Sequence, residues 1–351
     1  MGFRHRIFAA GFGVLAATGA DRWLSFFARG RGVILMLHHV RPWRPRAFAP
    51  NRVLEITPAF LDIVLTALRS EGFDVIPLDE VPERLRPGPA ARPFAVLTFD
   101  DGYRDNVEHA WPVLRRHNAP WTLFVTTDFA DGHGRLWWLE LEEAIARLDR
   151  VTLSDDGHSL DFPSRTAIEK EAAFDATYRH LRARPEKQLR ALTAALAAQA
   201  GMDTRRLTAE LCLGWDELQA LAGEPDVSIG AHSLSHPILA NCDAMTAMRE
   251  IADSKAVLER RLGRPVQHLA YPFGDRSAVG GREFLIARQA GYVTATISRP
   301  GHVFPDHAAR LYALPRVSIN GLFQNKRSLQ ALLSGVPFWI WNRSRVLRAE
   351  P

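Results

Sequence analysis

The chain places Asp100 beside Asp101 in Thr98-Phe99-Asp100-Asp101-Gly102, and His232 four residues before His236 in His232-Ser233-Leu234-Ser235-His236. Two imidazoles and one carboxylate form a recognised ligand set for a divalent ion, with positions left open for water and substrate. The second carboxylate of the pair stays free to accept a proton. A bound divalent ion acidifies water and polarises a carbonyl. Hydrolysis of an amide or ester is therefore the expected chemistry.

Such residues need elements to bring them together. The run Phe94–Phe99 before the aspartates is apolar and reads as a buried strand, as does Val227–Ala231 before the histidines. In a parallel α/β fold, the carboxyl ends of the strands form the active-site face. Adjacent residues on a strand point to opposite sides, so the two carboxylates share a site only if the strand stops at Asp100. Gly102 permits that exit. The spacing of His232 and His236 brings them together if the segment makes a helical turn. An Asp-Asp-Gly triplet is also ordinary turn chemistry, and Asp155-Asp156-Gly157 is a second copy. Alternating flanks there predict a solvated hairpin turn.

Apolar runs at 32–37, 75–78, 94–99, 121–126, 227–231, 268–271, 292–297 and 311–317 predict seven or eight strands. Helical periodicity separates many of them, beginning at Thr57-Pro58 and again over 107–117, 245–262 and 283–290. Strand, helix, strand predicts a parallel sheet covered by helices. The count predicts an α/β fold, a distorted (β/α) barrel of about seven strands. The rhythm breaks over about 132–225, a helical insertion that includes the Ala-rich stretch 189–200. The expected organisation is an amphipathic or signal-like segment at 1–30, the barrel with its insertion at 31–320, and an aromatic, basic tail at 321–351.

The 351 residues are 47% hydrophobic and 24% charged, which excludes a disordered chain. The net charge of +5 is visible in basic ends, Arg4-His5-Arg6 and Arg343 to Arg348, which suit an anionic membrane surface and so predict peripheral membrane contact. No nucleic-acid module is present, so no nucleic-acid partner is expected. Cys212 and Cys242, far apart, make neither a zinc site nor a disulfide framework. Residues 7–20 are uncharged after a basic start, the layout of a signal peptide, yet shorter than the ~20 apolar residues of a membrane span. They run on into an amphipathic pattern at 21–27, which predicts an interfacial helix. The expected location is cytoplasmic or membrane-surface, with a secreted or periplasmic one left open by the signal-like start.

The two motifs resemble those of the polysaccharide deacetylase family, the nodulation-protein-B homology group, over roughly residues 32–130 and 225–318. The resemblance implies a distorted (β/α) barrel that removes N-acetyl groups from sugars. It makes Asp100 the catalytic base and Asp101, His232 and His236 the ligands of a divalent metal, zinc first, with cobalt or nickel as alternatives. The implied substrate is a GlcNAc-containing oligosaccharide, polysaccharide or glycolipid. Met36-Leu37-His38-His39-Val40 is similar to the Tyr-His-x-Val that opens one branch, and Ala270-Tyr271-Pro272-Phe273-Gly274 stands in place of an Arg-x-Pro groove motif.

Two departures follow. Ala270 replaces the arginine that steadies the base, and Arg316 is its expected substitute. The late Leu-x-His that supplies the general acid is missing, so His38 takes that place, with His39, His302 and His307 as rivals. Tyr271, Pro272, Phe273, Trp138 and Arg316 are the expected substrate-binding residues, Trp138 or its neighbour Trp137 serving as a stacking face for sugar. The competing readings are a carbohydrate-binding homologue that has lost catalysis, and a hydrolase of a non-sugar amide or ester.

Overall fold

The protein is described by a computed structural model covering residues 11, 18–88, 92–155 and 157–342. Most of the apolar stretch 7–20, Asp156 and the basic run from Arg343 lie outside the described residues. In chain order the barrel strands are β1 (Gly32–Leu37), β2 (Phe94–Phe99), β3 (Trp121–Val125), β4 (Val227–Ala231), β5 (His268–Ala270), β6 (Thr294–Thr296) and β7 (Val317–Ser318). They form one parallel sheet in the order β6-β5-β4-β3-β2-β1-β7, and the short strand Asp74–Val75 adds to the start of β2. The sheet curls back on itself, because Leu314 bridges to Thr296 three residues before β7 pairs with β1. The result is the distorted (β/α) barrel that the strand count predicts.

Every residue of β2 and β3 is buried, as strands covered by helices on one side and filled by side chains on the other must be. Besides two single-turn helices, Val81–Arg84 and Thr127–Ala130, the described helices are α1 (Ala20–Ala28), α2 (Pro58–Ser70), α3 (Trp111–Arg116), α4 (Trp137–Arg147), α5 (Ala167–Arg182), α6 (Glu186–Gln199), α7 (Thr204–Leu211), α8 (Trp215–Ala222), α9 (Ala244–Leu262), α10 (Gly281–Gln289), α11 (Lys326–Ser334) and α12 (Val336–Trp341). α2 starts as its sequence suggests: the Thr57 hydroxyl accepts from the Phe60 amide at 3.1 Å, and Pro58 fills the first turn. Phe60, Leu61, Val64, Leu65 and Leu68 are buried against the sheet. None of the described helices is long and apolar enough to cross a membrane.

Prolines shorten three predicted elements. Pro77 has no N–H to donate, so the strand predicted at 75–78 pairs only over Asp74–Val75 and passes into a 3-10 turn. Pro315 similarly splits the strand predicted at 311–317, leaving the bridge at Leu314 and β7. The helix predicted at 107–117 opens with a π turn at Asn106–Ala110, and its α-helical part begins next to Pro112.

Between β3 and β4 lie α4 to α8 and an antiparallel hairpin, Arg150–Asp155 with His158–Pro163. Of the second Asp-Asp-Gly triplet, Asp155 ends the first strand opposite His158, and Gly157 (φ 82°) stands just before the second. Asp155 faces inward and ties the hairpin to α5, to the link after α5 and to α6 through His180 (2.7 Å), Arg184 and Gln188 respectively. This segment has a core of its own, which includes Trp137, Leu141, Ile145, Leu153, Leu181 and Leu196. Leu218 and Leu221 of α8 instead join the core of the barrel.

Candidate active site

β2 delivers the two aspartates. The Asp100 amide still donates to the Leu37 carbonyl at 3.0 Å, the last rung of the ladder with β1. Asp101 (φ 73°) and Gly102 (φ 68°) are then left-handed in succession. That reversal turns both carboxylates to the same end of the barrel. Left-handed geometry costs a non-glycine residue ~1–2 kcal/mol. Among the described residues five non-glycine positions adopt it, and four of them, Asp101, Ser233, His236 and Phe273, meet here. Backbone strain held at one place is a mark of a functional site.

His232 and His236 come together in a way their spacing does not suggest. The loop after β4 makes no helical turn; Ser233 (φ 64°) and His236 (φ 61°) fold it back on itself. Side chains substitute for the missing helical hydrogen bonds. The Ser233 hydroxyl accepts from the His236 amide at 2.9 Å. The Glu250 carboxylate on α9 takes both the Ser235 amide (2.9 Å) and its hydroxyl (2.7 Å). Arg190 on α6 donates to the Ser235 carbonyl at 2.6 Å.

The outcome is a buried triad. His232 Nε2 and His236 Nε2 lie 3.4 and 3.3 Å from Asp101 Oδ1, and one ligand atom from each residue falls within 4.8 Å of the others. His232 Nδ1 donates to the Ala270 carbonyl at 2.7 Å, which fixes the tautomer with an Nε2 lone pair facing Asp101. Asp101 Oδ1 is buried yet makes no hydrogen bond. An orphaned buried carboxylate oxygen between two imidazole nitrogens fits a divalent cation. Burial pushes the Asp101 carboxyl up, but the two histidines outweigh it and hold it well below the usual carboxylate range.

Asp100 is held apart from this triad by another partner. Arg316 Nη1 and Nη2 donate to its two oxygens, each at 2.7 Å, and Nη1 also reaches the Thr98 hydroxyl at 3.1 Å. Burial opposes ionisation of Asp100; Arg316 and His232 overcome it, so the carboxyl titrates below its ordinary value. Arg316 is 1% exposed and both terminal nitrogens are spent on Asp100 and Thr98. It therefore stands behind Asp100 and, although expected among the substrate-binding residues, does not line the groove.

The four candidate acids separate cleanly. His38 Nε2 lies 3.9 Å from Asp100 Oδ2 and faces the groove. Burial lowers its pKa against the pull of the two aspartates. His39 is buried, stacked on Tyr103 and bonded to Asp105 at 2.6 Å. His302 lies between the carbonyls of Arg29 and Leu332, and His307 closes its own turn at Phe304. His38 alone of the four meets the aspartate pair.

The groove above these residues has a volume of about 450 Å³. Trp138, Tyr271 and Phe273 line it; Pro272 does not. The Tyr271 hydroxyl points away, donating to the Tyr312 carbonyl at 3.0 Å. Trp138 packs its ring 4.7 Å from that of His236, and Trp137 is buried against Tyr178. A family model described as polysaccharide deacetylase matches residues 88–295, more than half of the chain. The chain belongs to the polysaccharide deacetylase family. Its family makes it a carbohydrate deacetylase, a hydrolase.

Solved structures agree with this deacetylase on the fold. The deacetylase PplD of Streptococcus pyogenes, solved with acetate, is 19% identical with a TM-score of 0.57, covering 86% of this chain and 97% of that one. A de-N-acetylase from Aggregatibacter actinomycetemcomitans is 12% identical (TM-score 0.54, 86% and 98% covered). IcaB from Ammonifex degensii is 17% identical (TM-score 0.52, 87% and 98% covered). No curated protein sequence matches the chain.

The deacetylase also has groove residues that its motifs do not reveal. Phe174, Tyr178 and Arg182 of α5 line the wall, as does Asn51 from the loop after β1. Spacings of four residues put the first three on one face of α5, a signal available in the sequence once the insertion is known to cover the barrel mouth. Arg182 stacks its guanidinium 4.5 Å from the centre of the Phe273 ring and pairs with Asp275 at 2.9 Å.

Proposed function

We propose that this deacetylase hydrolyses the N-acetyl groups of a GlcNAc-containing glycan or glycolipid and depends on a divalent metal ion held by Asp101, His232 and His236. Zinc is the first choice for one carboxylate and two imidazoles, with cobalt and nickel as alternatives. The observation that carries the proposal is the division of labour between adjacent aspartates. Asp101 Oδ1 is buried with no hydrogen bond beside two imidazole nitrogens, whereas both oxygens of Asp100 are held by Arg316.

When bound, the ion supplies Lewis acidity, acidifying water and polarising the acetamido carbonyl. The remaining work belongs to the protein. Asp100, kept anionic by Arg316, accepts the proton of the attacking water. His38 gives a proton to the departing sugar nitrogen. Its lowered pKa makes its protonated form a ready donor, and Asp100 stands 3.9 Å away to reload it. Water adds to the carbonyl carbon, the C–N bond breaks, and the products are acetate and a free amine. Trp138 and Phe273, with Phe174 and Tyr178, offer apolar faces against which sugar rings stack, whereas Tyr271 is fully buried.

The test is acetate release from chitooligosaccharides together with metal content per chain, in wild type, Asp100→Asn and Asp101→Ala. The expected result is stoichiometric metal and turnover in wild type, metal without turnover in Asp100→Asn, and neither in Asp101→Ala. Turnover that survives both substitutions sinks the proposal.

A further inference from the structure

The two ends of the described chain meet on one face of the barrel. α1 leads into β1, and both α11 and α12 pack against it. The junction is tightly built. Gly335 adopts φ 76°, and a Cβ there would collide with the Ala28 carbonyl oxygen, so the two backbones touch. The buried ring of His302 spans the same junction, its nitrogens 3.0 and 2.9 Å from the carbonyl oxygens of Arg29 and Leu332.

What this rigid junction displays is apolar. Trp23 is 84% exposed, Phe26 86%, Phe27 62%, Ile340 53% and Trp341 59%. The first three sit at i, i+3 and i+4, one face of α1. Large side chains scattered singly over a surface need no explanation; five on two adjoining short helices do.

Charge follows the same division. Residues 1–31 hold five basic side chains and one acidic, and residues 321–351 hold the same numbers. The two ends thus carry +8 in a chain of net +5, and everything between them carries −3. Residues 7–20, uncharged and apolar, run directly into α1.

We propose that this face docks on an anionic lipid surface, with Trp23, Phe26 and Phe27 entering the headgroup region and the basic ends meeting lipid phosphates. Aromatic rings favour the level of the headgroups, and clustered arginines are drawn to anionic lipid. An uncharged stretch continuing into an aromatic-faced helix has the make-up of a segment lying in the interface. β1 begins beside this face and delivers His38 at its other end, roughly 20 Å away for six residues of strand. The docked enzyme therefore opens its groove away from the lipid.

The experiment is sedimentation of the full chain with phosphatidylcholine vesicles, with and without phosphatidylglycerol. Anionic vesicles are expected to bind about tenfold or more tightly than neutral ones, with binding weakened by salt. The triple variant Trp23→Ser, Phe26→Ser, Phe27→Ser is expected to lose about tenfold on anionic vesicles while its thermal melt matches wild type, because these side chains are exposed. A second variant, Arg343→Ser, Arg345→Ser, Arg348→Ser, is expected to lose the preference for anionic lipid. Equal binding to both vesicles overturns the proposal, and so does wild-type binding by the aromatic variant. A lipid-free dimer that the aromatic variant dissociates, without vesicle binding, assigns the face to a second copy and overturns it equally.

Discussion

Replacing Arg316 tests the assignment of the base, because among the described residues Arg316 is the one cation hydrogen-bonded to Asp100. Arg316→Met fills a similar volume but removes both 2.7 Å bonds from a carboxylate that is 2% exposed. Stripping one partner from a buried ion pair costs about 3–5 kcal/mol. Asp100 avoids that cost by taking up a proton. At about 1.4 kcal/mol per factor of ten, some 3 kcal/mol raises the Asp100 pKa by about two units, which lowers the ionised fraction about tenfold at one pH unit above the wild-type value. The ionised form is the one that accepts a proton. Wild-type Asp100 titrates below the ordinary carboxylate value, so removing Arg316 moves the acidic limb of the kcat/KM profile to higher pH.

The assay is acetate release across a pH series. Three signatures distinguish the effect from simple damage. Activity of Arg316→Met recovers as pH rises. Asp100→Asn, which has nothing to ionise, stays low at every pH. Arg316→Lys keeps the charge without the two-pronged contact, and its acidic limb falls between those of wild type and Arg316→Met. An acidic limb that stays at its wild-type position in Arg316→Met would refute the reasoning, however low the rate.

Other consequences can be checked separately. Phe174→Ala and Tyr178→Ala are each expected to raise KM for a chitooligosaccharide about three- to tenfold with little change in kcat, as loss of a stacking face would; steady-state kinetics separates the two. Glu250→Gln should weaken metal affinity about ten- to a hundredfold by loosening the loop that sets His236, read by competition with a chelating dye. Gly335→Ala is expected to destabilise the fold by about 1–3 kcal/mol in urea titration, because it needs a left-handed residue against the Ala28 carbonyl. Burial lowers the His302 pKa to about 4, so the folded state keeps this ring neutral while the unfolded chain protonates it below about 6.5. Its contribution is whole above that value and declines as pH falls toward 4, by ~3 kcal/mol in all; His302→Gln should flatten that part of the stability profile.

The barrel was readable because its strands are short apolar runs separated by helical periodicity, a pattern that burial on both faces imposes. The ends of elements were not, because they depend on hydrogen bonds that no periodicity encodes. Pro77 and Pro315 each remove a donor just where apolar content continues. The hairpin at 150–163 announced itself through alternation and a glycine turn, and its Asp155-Asp156 copy of the Asp100-Asp101 pair was separable by its flanks. The wall contributed by α5 was hidden for a different reason. Phe174, Tyr178 and Arg182 belong to an insertion whose docking over the groove is a tertiary outcome.

At the site itself, residue types carried the reading and spacing misled it. His232 and His236 are four apart, yet they meet through two left-handed residues and not through a helical turn. That geometry is unfavourable for Ser233 and His236 in isolation, so something must hold it. Glu250 and Arg190 do so from two different helices, one in the barrel and one in the insertion. Asp101 carries the same strain at the end of β2, where Gly102 beside it completes the reversal. The strain has a use. A helical turn would direct both imidazoles along one face of a helix, whereas the folded-back loop aims them at a carboxylate arriving from another strand. The insertion thus supplies part of the groove wall and, through Arg190, helps hold the His236 loop in place. Trimming it is a change to the Asp101, His232 and His236 cluster as much as to the groove.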